Sequence, residues 1–361
     1  MEEKTKEILQ KIEQSIKNLN KNKFTIYFFV IDTKGTPNGS TQYIYQIAKE
    51  LMVIGYNVAI LHQEEDFVGV SSWLGDEYSS IPHYRVDNTN IKISASDFLL
   101  IPEIFANVMS QTKDLPCKRI VICQNINYIT EFIPLGVSWS DYKITDVLTT
   151  TETQANDLAD LFPTVKTRVI PPSIPSYFRN NNEPKKLMVC ISCKDDSIVN
   201  KITKQFHWKY PEYRWVTFAN AKGLPRDSFA DTIRDSEITL WVDDDTYFGY
   251  IPVEAIKSGS VVIGKIPNVI PEWMYNEDGQ SLCDAGLWFT SLKDVHKIIA
   301  NVIKSIMNDD IPCELYAAME KFEDKYTEEQ QKNKIKSVFK EFVSDRVKEL
   351  DLVKNKIINK Q

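Results

Sequence analysis

The sequence contains 361 residues, of which 43% are hydrophobic and 26% are charged, and its formal net charge is −7. Because a typical domain uses about 150 residues, this length predicts about two domains, each with its own core, and excludes a small disulfide-stapled scaffold. The composition is that of a globular chain and excludes a disordered tail or a fibrous repeat. The acidic balance disfavours nucleic acid as a partner.

Neither a membrane crossing nor export is predicted. The longest largely apolar stretch, Phe24–Ile31, has the length of a strand. It is far shorter than a bilayer-spanning helix, which needs about 20 residues. Residues 1–22 begin with charged side chains where a secretory signal would need an apolar core. Six cysteines at irregular spacing do not form a disulfide framework. We therefore expect a cytoplasmic protein.

The first half of the chain alternates helical and strand patterns. Apolar residues recur every three or four positions at its start, which predicts an amphipathic helix over residues 1–22. The apolar runs that follow are continuous, as in strands that helices cover on both faces. The predicted strands are Phe24–Ile31, Asn57–Leu61, Asp97–Ile101, Arg119–Cys123, Asp146–Thr149 and Thr167–Ile170.

A polar segment rich in proline and asparagine, residues 173–186, predicts an interdomain linker. The strand pattern then restarts. We expect an α/β protein with two Rossmann-like domains, residues 1–176 and 185–313, followed by helices over 314–361. The predicted strands of the second domain are Leu187–Ile191, Arg214–Phe218, Ile238–Val242, Ser260–Ile263 and Gly286–Phe289.

The last predicted helix is basic, because residues 331–361 hold nine Lys and Arg against four Asp and Glu. One interpretation is a solvated helix face, which we favour. The other is peripheral contact with an anionic membrane, which would place the protein at the inner membrane surface. An apolar stripe serves either interpretation: Val338, Phe339, Phe342, Val343 and Val347.

Ligands of open parallel sheets bind beyond the carboxyl ends of the strands, so the residues that follow each strand are the candidates. In the first half, Gly39 and Ser40 end a glycine-containing loop and open a helix whose N–H groups could meet an anion. The loop is neither a G-x-G-x-x-G nor a Walker motif. Glu103 and Asn125 follow later strands and are positioned to meet an acceptor or a sugar.

The most informative stretch is residues 243–264, where a strand leads into a loop with Gly249 and then into a helix. We expect this helix to begin near Pro252, with Glu254 in its first turn. The stretch resembles the nucleotide-sugar site of retaining GT-B glycosyltransferases of family 4. Residues 39–61 and 147–172 are also similar to passages of that family. The matching positions are Phe248, Gly249, Glu254, Ala255, Gly259, Val261 and Val262.

The resemblance implies two Rossmann-like domains that face each other across a cleft. It implies transfer of a sugar from a nucleotide diphosphate sugar to a hydroxyl acceptor such as a glycan or a lipid-linked group, with retention and without a metal. Glu254 would accept hydrogen bonds from the ribose, while Phe248, Gly249 and Tyr250 would lie against the donor.

The sequence departs from the family at one position. A first carboxylate, which contacts the transferred sugar in the family, is expected eight residues before Glu254, and Thr246 stands there. Either Thr246 or Asp245 takes over this role, or the donor sugar is unusual, or catalysis has been lost.

A donor diphosphate bound without a metal needs cations, and the candidates are Lys194, then Lys201, with Lys222 and Arg226 as alternatives. Asp243–Asp245 also fits a D-x-D metal motif, although that motif belongs to the GT-A architecture. Cys190 and Cys193 form a C-x-x-C pair without the further ligands of a zinc site. We therefore expect no metal and no cofactor other than the donor.

Two other functions remain open at this point. A catalytically silent sugar-nucleotide-binding subunit would explain the missing carboxylate at position 246. A sugar-nucleotide epimerase or hydrolase could use the same architecture. A transferase acting on a modified nucleic-acid base is disfavoured by the acidic charge.

Overall fold

The computed structural model describes residues 2–193 and 195–359. The chain divides into two compact units. Unit 1 consists of the residues up to Pro171 together with those from Gln331 onward, and unit 2 is Pro172–Gln330. Unit 1 is therefore discontinuous in sequence, and unit 2 is inserted into it.

Unit 1 contains a seven-stranded sheet in which every neighbouring pair of strands is parallel. The strand order is β3-β2-β1-β4-β5-β6-β7. The strands are β1 Thr25–Phe29, β2 Asn57–His62, β3 His83–Arg85, β4 Phe98–Pro102, β5 Lys118–Cys123, β6 Asp146–Thr149 and β7 Lys166–Val169.

The helices of unit 1 connect these strands, and two further helices at its chain ends pack into the same core. Strands β1, β4 and β5 are almost entirely buried, as expected for strands that lie between helices. The helices are α1 Glu2–Asn20, α2 Gly39–Ile54, α3 Ser71–Leu74, α4 Ala106–Gln111, α5 Ile126–Phe132, α6 Glu152–Leu161 and, at the far end of the chain, α12 Glu328–Ile358.

Unit 2 contains a five-stranded parallel sheet in the order β12-β11-β10-β8-β9. Ile174 and Phe178, in the predicted linker, are buried in its core. The strands are β8 Lys186–Ile191, β9 Thr217–Asn220, β10 Ser236–Trp241, β11 Val261–Lys265 and β12 Gly286–Phe289. The helices are α7 Asp196–Lys209, α8 Arg226–Asp235, α9 Tyr250–Lys257, α10 Val295–Met307 and α11 Cys313–Glu320.

In both sheets, successive strands are added first on one side of the first strand and then on its other side. Ligands of such sheets bind beyond the strand ends at the point where this order reverses. In unit 1 the reversal lies between β1 and β4, so the loop before α2 and Glu103 meet there. In unit 2 it lies between β8 and β10, so the loop that follows Trp241 lies there. Glu103 and the loops before α2 and α9 therefore follow strands at the reversals, whereas Asn125 follows β5 and Lys222 follows β9.

The predicted strands are confirmed, with two differences. Strand β3 was not predicted, because its three residues are polar or half-exposed and lack an apolar run. The predicted strand Arg214–Phe218 is shifted, because Arg214 follows the 3₁₀ helix Pro211–Tyr213 and the strand starts only at Thr217.

The basic helix α12 packs into unit 1 through its apolar stripe. Val338, Phe339 and Phe342 are buried in the same core as β1 and β4. The apolar stripe, which could have served a solvated helix or a membrane contact, is thus part of the core of unit 1. No helix among residues 2–193 and 195–359 is long and apolar enough to cross a membrane.

Ion pairs fix α12 against the sheet of unit 1. The buried guanidinium of Arg168 in β7 pairs with Asp146 in β6 at 2.8 Å and with Asp345 in α12 at 2.5 Å. Lys118 in β5 pairs with Asp146 at 2.5 Å and with Glu349 in α12. Acidic residues of α12 therefore meet cations of the strands although the helix as a whole is basic.

Candidate functional site

The edge of unit 1 brings several predicted site residues together. Glu103 directly follows β4 and is buried, and its Oε1 accepts hydrogen bonds from the backbone N–H groups of Gln124 at 2.9 Å and Asn125 at 2.8 Å. The side-chain amide of Gln124 donates to the carbonyl oxygen of Ser40 at 3.1 Å. Ser40, Glu103 and Asn125 thus lie around one strand-end edge.

Helix termini account for part of this arrangement. Gly39 and Ser40 are the first two residues of α2, and Asn38 caps the helix by accepting from the N–H of Thr41 at 3.0 Å. N–H groups in a first helical turn have no partner inside the helix and can bind an anion. The side chain of Asn125 is already used, because it caps α5 through the N–H of Asn127 at 3.0 Å.

The carboxyl group of Glu103 is buried, and burial raises its pKa to about 7, although the N–H groups of Gln124 and Asn125 oppose the shift. The folded chain therefore holds a proton on Glu103 more tightly than the unfolded chain, whose ordinary value is 4.5. Between these two pKa values the folded state loses stability as the pH rises.

We expect Glu103→Gln to remove this pH dependence, since an amide oxygen can accept the same two hydrogen bonds without ionising. At pH 8 the variant should be more stable than the wild type by about 3 kcal/mol, and below about pH 4 the two should be equally stable. Urea unfolding at a series of pH values measures the difference. The exposed Glu131, changed to Gln, is the control and should leave the pH profile unchanged. Parallel profiles for Glu103→Gln and the wild type would contradict the expectation.

In unit 2 the loop between β10 and α9 is held by two indole groups. Trp241 Nε1 donates to Asp243 at 3.2 Å, and Trp273 Nε1 donates to the carbonyl oxygen of Phe248 at 2.6 Å. Gly249 then adopts a left-handed conformation with φ of 72° and caps α9. Tyr250, the first residue of α9, packs its ring edge against Phe248 at 5.1 Å.

The three consecutive aspartates of this loop have different partners. Asp244 pairs with Lys265 at the end of β11, and Asn268 donates to Asp245 at 3.3 Å. Asp245 is exposed and Thr246 is half-buried. Nowhere in the described residues do three or more His, Cys, Asp and Glu side chains form a potential metal site.

Glu254 is fully buried, and its position differs from the expectation in one respect. Because Gly249 caps the helix, α9 begins at Tyr250 rather than near Pro252, so Glu254 lies in the second turn and not in the first. One oxygen, Oε1, accepts from the guanidinium of Arg226, the first residue of α8. The other, Oε2, has no hydrogen-bond partner among the residues that the structure describes.

The cations predicted for a diphosphate occupy different environments. Arg226 is buried and bound to Glu254, so the structure joins two of the predicted residues directly. Lys222 is exposed, and its ammonium group pairs with Asp196 in the first turn of α7 at 3.0 Å. Lys194 lies outside the described residues. Lys265 was not predicted, although its position at the end of β11 would have qualified it by the strand-end rule.

Gly249 is expected to tolerate no side chain. A Cβ atom there would lie 2.9 Å from Trp241 Cζ2, in a backbone conformation that L residues rarely adopt. We expect Gly249→Ala to lower the free energy of unfolding by about 2 kcal/mol. Gly223→Ala is the matched control, since Gly223 has φ of 77° but nothing within 4 Å of its Cβ position, and about 1 kcal/mol is expected there. Equal losses in guanidinium unfolding would show that contact with Trp241 is unimportant.

No protein-family model matches the chain. It is 23% identical over 227 residues to an alpha-1,6-glucosyltransferase of Actinobacillus pleuropneumoniae serotype 7, and the match covers 60% of this chain and 65% of that protein. The chain thus spans less than two thirds of this relative.

Solved structures of other proteins are similar in fold to most of this chain. The pneumococcal O-GlcNAc transferase GtfA, in complex with UDP and GlcNAc, has a TM-score of 0.59 at 12% identity, over 90% of this chain and 99% of that one. Sucrose-phosphate synthase from Thermosynechococcus elongatus also has 0.59, at 11% identity over 89% and 99%. Anabaena HepE, in complex with UDP-glucose, has 0.51 at 11% identity over 88% and 99%.

The fold matches that of GT-B glycosyltransferase structures. The expected α/β class with two parallel sheets is confirmed. At identities this low the likeness concerns the fold alone, and the activity has to be argued from the site.

Proposed function

We propose that the chain is a glycosyltransferase that moves a hexosyl group from a nucleotide diphosphate sugar to a hydroxyl acceptor in glycan biosynthesis, with retention and without a metal. The observation that carries this proposal is the buried Glu254, whose Oε2 has no partner in the described part of the chain. Glu254 lies five residues after Gly249, the residue that caps α9. Support comes from the fold and from the glucosyltransferase relative.

Donor binding would use groups that unit 2 already holds in place. The N-terminus of α9, at Gly249 and Tyr250, offers N–H groups and the positive end of the helix dipole to the diphosphate. Glu254 Oε2 would accept a hydrogen bond from a ribose hydroxyl. Lys222 and Lys265 are further cations of this unit, although each is paired with an aspartate and would have to exchange that partner for a phosphate oxygen.

The acceptor would meet the strand-end edge of unit 1, around Ser40, Glu103 and Asn125. In a retaining transfer the bond from the anomeric carbon to the diphosphate oxygen breaks and the bond to the acceptor oxygen forms on the same face. The acceptor proton then goes to the departing phosphate, so no protein base is needed. The protein contributes orientation and stabilises the charge that develops on the diphosphate.

A second candidate is a catalytically silent subunit that binds the nucleotide sugar. It is favoured by one observation, namely Thr246 at the position where a carboxylate is expected to contact the transferred sugar. Asp245 is exposed beside it and makes a 3.3 Å contact with Asn268, so it is the carboxylate of this loop that could replace the missing one.

We also infer a cytoplasmic location, which the free thiols of all six cysteines support. Contact with the inner membrane surface would have to rely on the lysines of α12, because Phe339 and Phe342 of its apolar stripe are buried. Vesicle sedimentation with anionic lipids tests this part.

The experiment begins with UDP-, GDP- and ADP-glucose added to the purified chain, with EDTA or Mn²⁺, while the melting temperature is recorded. Stabilisation by one donor that survives EDTA supports the proposal. Mass spectrometry after addition of hydroxyl acceptors then separates transfer from binding without turnover, and free sugar would indicate a hydrolase. If no donor stabilises the chain, or if stabilisation requires the metal, the proposal fails.

A further inference from the structure

Arg226 occupies an enclosed position between aromatic rings. Its guanidinium carbon lies 4.7 Å from the ring centre of Phe178 and 5.3 Å from that of Phe229. Tyr177 is close enough to interact electrostatically with the same guanidinium. Phe178 and Phe229 are also in contact with one another, with ring centres 6.1 Å apart. All these groups belong to unit 2.

This environment favours a role other than the diphosphate contact expected from the sequence. To reach a phosphate in solvent, Arg226 would have to lose its contacts with both rings. It would also leave the carboxylate of Glu254 buried without a cation. Buried ion pairs are costly to break, because each partner left behind is an uncompensated charge. The guanidinium is instead oriented toward Glu254 and leaves Oε2 of that carboxylate without a partner in the described chain.

A buried carboxylate oxygen with no donor is rare in folded proteins, since an unmade hydrogen bond of this kind costs free energy. Such an atom suits a hydroxyl group that arrives with a ligand. Glu254 and Arg226 lie on different helices, α9 and α8, and the contact between their side chains fixes the orientation of the carboxylate and so of its unpaired Oε2.

We infer that Arg226 is a positioning residue, which keeps the Glu254 carboxylate ionised and turned so that Oε2 faces the ribose of the donor. The inference rests on the proposed function and names a residue that acts through Glu254 rather than on the substrate.

The charges around the pair determine what its loss would do. Burial raises the pKa of the Glu254 carboxyl group, and the positive charge of Arg226 opposes this shift. Among the residues that the structure describes, Tyr177 is the other ionisable group that acts on the pair, and Asp227 acts on Tyr177. Without Arg226 the carboxyl group would retain the effect of burial and lose its cation, so it would be protonated at higher pH than in the wild type.

The experiment measures the affinity for UDP-, GDP- and ADP-glucose by calorimetry between pH 6 and 8.5. These diesters have no phosphate that titrates in that range, so the profile reports on the protein. We expect a flat profile for the wild type. Arg226→Gln should bind about tenfold more weakly at low pH and recover as the pH rises and Glu254 ionises. Arg226→Lys, which keeps the charge, should have a flat profile and a smaller loss.

A double-mutant cycle supplies the second readout. If Arg226 acts through Glu254, the double variant Glu254→Gln/Arg226→Gln should bind no more weakly than Glu254→Gln alone. Flat profiles in every variant together with additive losses would overturn the inference while leaving the transferase proposal intact. Binding of none of the three donors by the wild type would instead defeat the proposed function itself.

Folding is checked separately by far-UV circular dichroism and by the melting temperature without ligand. If Arg226→Gln does not fold, Arg226→Lys replaces it in the cycle. The expected result is then an affinity loss of about threefold or more that disappears in the Glu254→Gln background. An equal loss in both backgrounds would overturn the inference.

Discussion

Replacing Glu254 by alanine is expected to lower the free energy of unfolding of unit 2 by about 3–5 kcal/mol. The change leaves the guanidinium of Arg226 buried between Phe178 and Phe229 without its carboxylate. Denaturant unfolding of the full chain, with hydrogen exchange to locate the loss in unit 2, measures the effect. This expectation depends on the buried pair alone and not on any activity.

Two variants separate the orphaned charge from the lost volume. Glu254→Gln retains an oxygen that can accept from Arg226 and should cost less than Glu254→Ala. The double variant Glu254→Ala/Arg226→Met removes the charge as well as its partner and should recover much of the stability. A double variant that is less stable than Glu254→Ala would mean that the cost comes from packing rather than from charge.

Replacing Phe339 by alanine is expected to destabilise unit 1 by about 3–5 kcal/mol. Phe339 is fully buried on α12, and its ring meets that of Phe342 at 5.5 Å. Removing it would leave a cavity in the same core that contains β1 and β4. Guanidinium unfolding measures the loss, and hydrogen exchange should increase in unit 1 and not in unit 2.

The matched control lies on the same helix. Leu352 is 61% exposed, so Leu352→Ala should change the free energy of unfolding by no more than about 0.5 kcal/mol. If α12 were a detached helix that contacts a membrane, Phe339→Ala and Leu352→Ala would have equally small effects in the absence of lipid. A large difference between the two therefore establishes the helix as part of the core.

The strands were predictable because their side chains are buried on both faces of the sheet, so that each strand is a continuous apolar run in the sequence. The exceptions follow the same physics. His83–Arg85 has no such run because the strand is half-exposed at the sheet edge. Trp215 and Val216 have the apolar side chains typical of a strand. Because a tight turn follows the 3₁₀ helix Pro211–Tyr213, however, the strand begins only at Thr217.

The candidate site was predictable only in part. The strand-end rule located Glu103 and the loop before Glu254, since that rule depends on local sequence. The pairing of Glu254 with Arg226 depends on how α8 packs beside α9, and no periodicity in either helix encodes a partner 28 residues away. The first turn of α9 was misplaced because the left-handed Gly249, and not Pro252, determines where the helix begins.

The discontinuity of unit 1 has a consequence for biosynthesis. The ribosome synthesises the whole of unit 2 before it reaches Gln331, whereas the core of unit 1 still lacks Ile335, Phe339 and Phe342 at that stage. Unit 2 can therefore complete its folding during translation, while unit 1 remains incompletely folded, with part of its apolar surface exposed. Nascent chains stalled just before Gln331 should be the ones that chaperones bind most strongly.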